Sequence, residues 1–105
     1  MTANFITSQH FIDDGIVASK IDAGDFEVQV SPEFEIGGET FRVVMDGHHS
    51  LAAALAAGVE PTIIEQDATE NDRVALLDAG DIDAFLEACW MDGEYQYAVS
   101  GKAVW

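Results

Sequence analysis

The chain has 105 residues, 49% of them hydrophobic, with a mean hydropathy of +0.08, which is enough apolar material for the core of one small domain and too much for a disordered polymer. Asp and Glu number 20 against 4 Lys and Arg, a formal net charge of -16. That balance excludes a binder of bare DNA or RNA and a protein that docks on an anionic membrane, because both need a Lys/Arg footprint; a basic protein partner, a cation or a heavily solvated surface remain compatible with it.

In chain order, the start "MTANFITSQHF" lacks the basic and long apolar regions of a signal peptide, and no apolar run approaches the ~18 residues of a membrane span. A cytoplasmic protein without membrane contact is therefore expected. "FIDDGIVASKIDAGD" carries turn signals at Asp14-Gly15 and Ala23–Asp25 and predicts a strand through Ile16–Ile21. "FEVQVSPEFEIGGETFRVVMDG" alternates. Phe26, Val28 and Val30 face one way and Glu27 and Gln29 the other, and Phe34 and Ile36 alternate with Glu33 and Glu35. Gly37-Gly38 marks a hairpin pairing "EFEI" with "TFRVVM", and Pro32 ends the strand before it.

"HSLAAALAAG" predicts a helix by propensity, stopped by Gly58. "EPTIIEQ" predicts a short strand, so that Val44, the helix and Ile63 make a right-handed β-α-β crossover. "ATENDRVALLDAGD" predicts a helix with Thr69 or Asn71 near its N-cap and Gly80 as its stop. "DIDAFLEACWM" predicts another, capped by Asp81, with Ile82, Phe85, Leu86 and Cys89 on one face. "EYQYAVSGKAVW" predicts a final strand. Trp90, Tyr95, Tyr97 and Trp105 are assigned to core packing. The single cysteine, Cys89, forbids a disulfide within the chain and is expected to be a small buried hydrophobe. The sum is one domain over residues 1–105, an α+β fold with a small mixed β-sheet covered by about three helices.

The stretch with most chemistry in it is "VVMDGHHSLAAALAAGV". A β-branched run meets Asp-Gly, two histidines and a serine, and then a helix begins. The first amides of a helix lack internal partners and the macrodipole puts partial positive charge there, which makes an anion site. Gly47 permits the turn or a close approach of backbone to phosphate, Ser50 supplies a cap or a donor, and a histidine adds a hydrogen bond and, if protonated, charge.

These residues resemble the strand–turn–helix motif of the ParB/sulfiredoxin superfamily, over about 20 residues. The resemblance implies a ParB-like fold and a nucleotide-phosphate site (CTP or ATP, with magnesium) cradled by Gly47, His48, His49 and Ser50. Where the family carries an arginine after the second position of the pair, this chain has Ser50, which exchanges a bidentate cation for one neutral hydroxyl. The turn cysteine of sulfiredoxin and the basic helix-turn-helix extension of full ParB proteins are also absent from the sequence. No metal-ligand spacing and no catalytic constellation is apparent.

The acids cluster in "EQDATEND" and "DAGDIDAFLE", giving Glu65, Asp67, Glu70 and Asp72, then Asp78, Asp81, Asp83 and Glu87. Helices faced with carboxylates space negative charge at intervals comparable to duplex phosphates. A compact polyacid of this kind enters basic channels with fast, salt-sensitive association. In size and charge the chain is similar to DNA-mimic inhibitors of the anti-CRISPR, anti-restriction and nuclease-immunity kinds, which phages and mobile elements encode. The sequence therefore leads to a non-catalytic acidic protein that inhibits a basic nucleic-acid-processing partner, with no cofactor and no metal. The alternative is a ParB-like nucleotide-binding domain with weak or lost hydrolase activity.

Overall fold

The structure, a computed structural model, describes residues 4–104. Its elements are β1 (Asn4–Thr7), α1 (Asp14–Ala23), β2 (Glu27–Val30), β3 (Phe34–Ile36), β4 (Glu39–Asp46), α2 (His48–Ala57), β5 (Thr62–Glu65), α3 (Asp72–Asp78), α4 (Ile82–Cys89) and β6 (Gln96–Tyr97). The strands form one mixed sheet in the order β5-β2-β4-β1-β6, with β3 pairing β4 beside this path. The α+β architecture with a small mixed sheet under helices is the one the sequence predicts; the described helices number four rather than three.

β4 organises the sheet. Its alternate residues divide between two cores, as a period of two requires. Phe41, Val43 and Met45 join Ile6, Phe34, Val74, Phe85 and Cys89, the layer that α3 and α4 cover. Val44 joins Val28, Val30 and Leu51, the layer that α2 covers. Phe34 stacks edge-on to Phe85, with ring centroids 5.8 Å apart. The hairpin over Gly37-Gly38 forms in the expected register, Phe34 opposite Phe41. Cys89 is buried, with its Sγ 3.9 Å from Met45 Sδ.

β2 and β3 lie one after the other along the same side of β4, and the break between them is chemical. Pro32 has no N–H to give a ladder. Ser31, fully buried, repairs it. Its N–H donates to Val43 O at 2.9 Å, and its Oγ accepts from Val43 N at 3.0 Å while donating to Pro32 O. The side chain replaces a missing carbonyl.

The strand expected through Ile16–Ile21 is instead helix α1. Asp13 caps it, its carboxylate accepting from Gly15 N and Ile16 N, and Gly24 closes it at φ 66. No residue of α1 is buried; it lies along α2 rather than on the sheet. The expected parallel crossover is also corrected. β4 and β5 run antiparallel, because β2 sits between them, antiparallel to β4 and parallel to β5. The final strand shrinks to Gln96–Tyr97, closed by a bridge from Gln96 to Ala103. Trp90 is not in the core: α4 ends at Cys89, Trp90 turns into extended backbone, and it stands 56% exposed. Trp105 lies outside the described residues.

Candidate functional site

The turn between β4 and α2 sits where the sequence places it, but its residues are engaged with the rest of the fold. Gly47 is the N-cap of α2 in left-handed conformation, φ 86. A Cβ there would lie 2.5 Å from Glu27 O and 3.0 Å from Val28 Cα. The glycine is thus required by the close approach of β2, with no ligand needed to explain it. Its N–H is taken by its neighbour's carboxylate, Asp46 Oδ1, at 2.8 Å.

His48 points inward. It is buried, and its Nε2 is hydrogen-bonded to Thr7 Oγ1 at 2.7 Å, tying α2 to the end of β1. Burial pushes its pKa below 6.5, with the neighbouring Asp46 carboxylate opposing and His49 reinforcing the shift. His49 accepts from Asp13 N at 3.1 Å and so holds the residue that caps α1. Ser50 does not cap the helix as expected. It is buried, and its Oγ donates to Asp25 Oδ1 at 3.4 Å. The two adjacent histidines serve two different joints, one to a strand and one to a helix.

Two adjoining clefts, of about 340 and 170 Å³, open over this helix end. The larger is lined by Lys20, Asp25, Glu27, Asp46, Gly47 and Ser50 among others. Its single cation is already committed: Lys20 Nζ donates to Asp25 Oδ2 at 2.8 Å. This hydrogen bond raises the lysine's pKa and lowers that of the carboxyl, which Glu27 N lowers further. A phosphate entering here meets three carboxylates and no uncommitted positive side chain, so the local field opposes an anion. Sequence reasoning missed Thr7, Asp25 and Glu27, which lie 20–41 residues from His48, Ser50 and Gly47 and leave no local signal, and Lys20, which Asp25 holds.

The eight acids singled out between the end of β5 and α4 are all exposed. They are not equivalent. Glu65 pairs with Arg42 at 3.0 Å. Asp67 Oδ1 accepts from Thr69 N, Thr69 Oγ1 and Glu70 N and shapes the turn before α3, which lowers its pKa. Asp81 caps α4 through Ala84 N, and Asp72 and Asp83 lie in the first turns of their helices, where negative charge complements the dipole. The Glu70 side chain adds to the lowering at Asp67, whereas Asp78 and Glu87 cap nothing among the described residues. Arg73 is the only cation in this stretch, and its Nε donates to Asn71 Oδ1. Elsewhere the acids are equally outward: of the 20, all but Asp25 are exposed. Among the described residues no group of three or more His, Cys, Asp or Glu is placed to hold a metal, and no helix is long and apolar enough to cross a membrane.

No protein-family model, no curated protein and no solved structure matches the chain.

Proposed function

We propose that the protein is a non-catalytic acidic binder that occupies the nucleic-acid-binding surface of a basic partner and inhibits it as a DNA mimic. The observation that carries this reading is the outward presentation of Glu65, Asp67, Glu70, Asp72, Asp78, Asp81, Asp83 and Glu87 on one contiguous run of elements that holds a single, internally bonded arginine. Asp83 and Glu87 stand one turn apart on α4, with Cβ atoms ~5–6 Å apart. Clustered like charges of this kind steer a basic partner at a rate that falls with ionic strength.

The test is a panel of nucleic-acid-cleaving enzymes assayed on duplex DNA with and without the protein. Inhibition of a basic enzyme, competitive with DNA and relieved by salt, is expected; the triple variant Glu70→Lys, Asp78→Lys, Glu87→Lys loses it while keeping its fold. Inhibition indifferent to both salt and the variant overturns the reading.

A second reading, a ParB-like nucleotide-phosphate site at Gly47, His48, His49 and Ser50, is favoured by the paired clefts over the α2 N-terminus. The internal engagement of all four residues and the carboxylate lining weigh against it. Titration of CTP or ATP with magnesium, followed by amide shifts of residues 46–51, decides it: saturable shifts there support a retained site, and an unchanged spectrum removes it.

A further inference from the structure

Two loops that are distant in sequence are fastened together beside the sheet. Asp92 accepts from His10 N at 2.7 Å and from Phe11 N at 3.2 Å. In return Ser8 O accepts from Asp92 N and Gly93 N, and Ser8 Oγ accepts from Met91 N at 2.8 Å and donates to Cys89 O. His10 Nε2 and Glu94 O are 2.6 Å apart, and the imidazole sits so close over Gly93 that a Cβ there would fall 2.7 Å from the ring. Backbone groups and the buried Ser8 hydroxyl thus tie the two segments to each other.

These tied loops carry large apolar side chains outward. Phe11 is 67% exposed, Trp90 56% and Met91 47%. An exposed Phe, Trp and Met on adjoining loops costs solubility and does nothing for the core. These residue types are enriched at the desolvated centres of protein interfaces. The flanks are of one sign: residues 8–14 and 87–94 contain Asp13, Asp14, Glu87, Asp92 and Glu94 and no lysine or arginine. Asp83 and Glu87 stand on α4, which ends one residue before Trp90, so the acidic helix leads directly into these loops.

We propose that Phe11, Trp90 and Met91 form the apolar centre of the protein's binding surface, and that the partner brings to it a basic protein surface with an apolar pocket rimmed by arginine. The proposal rests on the acidic-binding reading above and adds to it where the binding is anchored. Arginine suits both parts of the surface. Its planar guanidinium takes a carboxylate through two hydrogen bonds and lies on the face of an indole or phenyl ring. Steering then comes from the acids, and residence time from the aromatic centre.

The test uses the isotope-labelled full chain and two synthetic peptides matched in length and arginine content, one interleaved with leucine and the other with serine. The leucine peptide is expected to give saturable amide shifts centred on residues 8–12 and 89–93, with affinity about tenfold or more above the serine peptide. That binding survives about 0.5 M salt, where exposed charges are screened. The double variant Phe11→Ser, Trp90→Ser retains a folded spectrum and brings the two peptides to one affinity. Equal binding of both peptides by the wild type, with shifts spread over α3 and α4, overturns the proposal and leaves the acidic reading standing. Binding of neither peptide removes the acidic reading and this proposal with it. Sedimentation showing a wild-type dimer at high salt that the double variant loses makes the occupant a second copy of the chain, which also overturns it.

Discussion

Thr7 and His48 are joined by a 2.7 Å hydrogen bond between Oγ1 and Nε2, across 41 residues of chain. The bond fastens the end of β1 to the first residue of α2 and fills a buried position with a group that would pay to be charged there.

Acid stability follows from this burial. The folded-state pKa of His48 lies below 6.5, so the unfolded chain takes up the proton first. The contribution is fully present above the unfolded value and is lost as pH falls from there through the folded value. His48→Gln keeps a polar partner for Thr7 and removes the titration. Urea midpoints at about pH 7.5 and about pH 5 are the measurement, bracketing the histidine range. The wild type loses more stability than the variant between them; an equal loss in both refutes the assignment.

Gly47→Ala and Gly38→Ala separate backbone conformation from crowding. Both glycines have φ 86, but a Cβ at Gly38 meets nothing within 4 Å while one at Gly47 strikes the β2 backbone. Thermal unfolding should show about 1–2 kcal/mol lost at Gly38 from the left-handed conformation alone. At Gly47 the loss is about 3 kcal/mol or more, because strand and helix must also move apart. Equal losses contradict the close approach.

Ser31→Ala tests the repaired ladder. It removes the Oγ that accepts from Val43 N, 3.0 Å away in a buried setting. The orphaned amide costs about 1–3 kcal/mol in chemical denaturation. Hydrogen exchange should report it locally, as faster exchange at Val43 than at its neighbours in β4. Unchanged protection at Val43 would show that another acceptor serves it.

The acids divide by their duties. Asp67→Ala and Asp81→Ala each remove a carboxylate that accepts main-chain N–H groups and cost about 1 kcal/mol at high salt, where the relief of repulsion is screened out. Glu70→Lys, Asp78→Lys and Glu87→Lys relieve a chain of net charge -16. Their melting temperatures rise at low salt, and the gain vanishes as salt screens the repulsion. A salt-independent gain would point to local contacts instead.

Much of the fold can be read locally and some of it cannot. The Gly37-Gly38 hairpin, the alanine helix α2 and the amphipathic α4 declare themselves within a dozen residues, and Asn71 and Asp81 cap the helices they precede. Helix α1 was masked by its own composition, since Ile16, Val17 and Ile21 are β-branched and suggest a strand. The decisive signals were the ends, Asp13 and Gly24. The direction of β5 depends on which strand inserts beside β4, a non-local choice that no window of sequence reports. The histidine pair misled for the same reason: its partners, Thr7 and Asp13, lie 41 and 36 residues before it in the chain. Trp90 continues the apolar stripe of α4 in sequence, but the helix stops one residue earlier and turns it outward.

The place of β1 governs the order in which the fold can be completed. Its neighbours are β4, where Phe5 faces Arg42, and β6, where Ile6 faces Tyr97. Residues 4–7 therefore leave the ribosome ahead of both strands that flank them, and β6 is the last of the described strands to follow. Until β4 follows, β1 has two open edges, and until β6 follows it still has one, the condition in which chains aggregate or recruit chaperones.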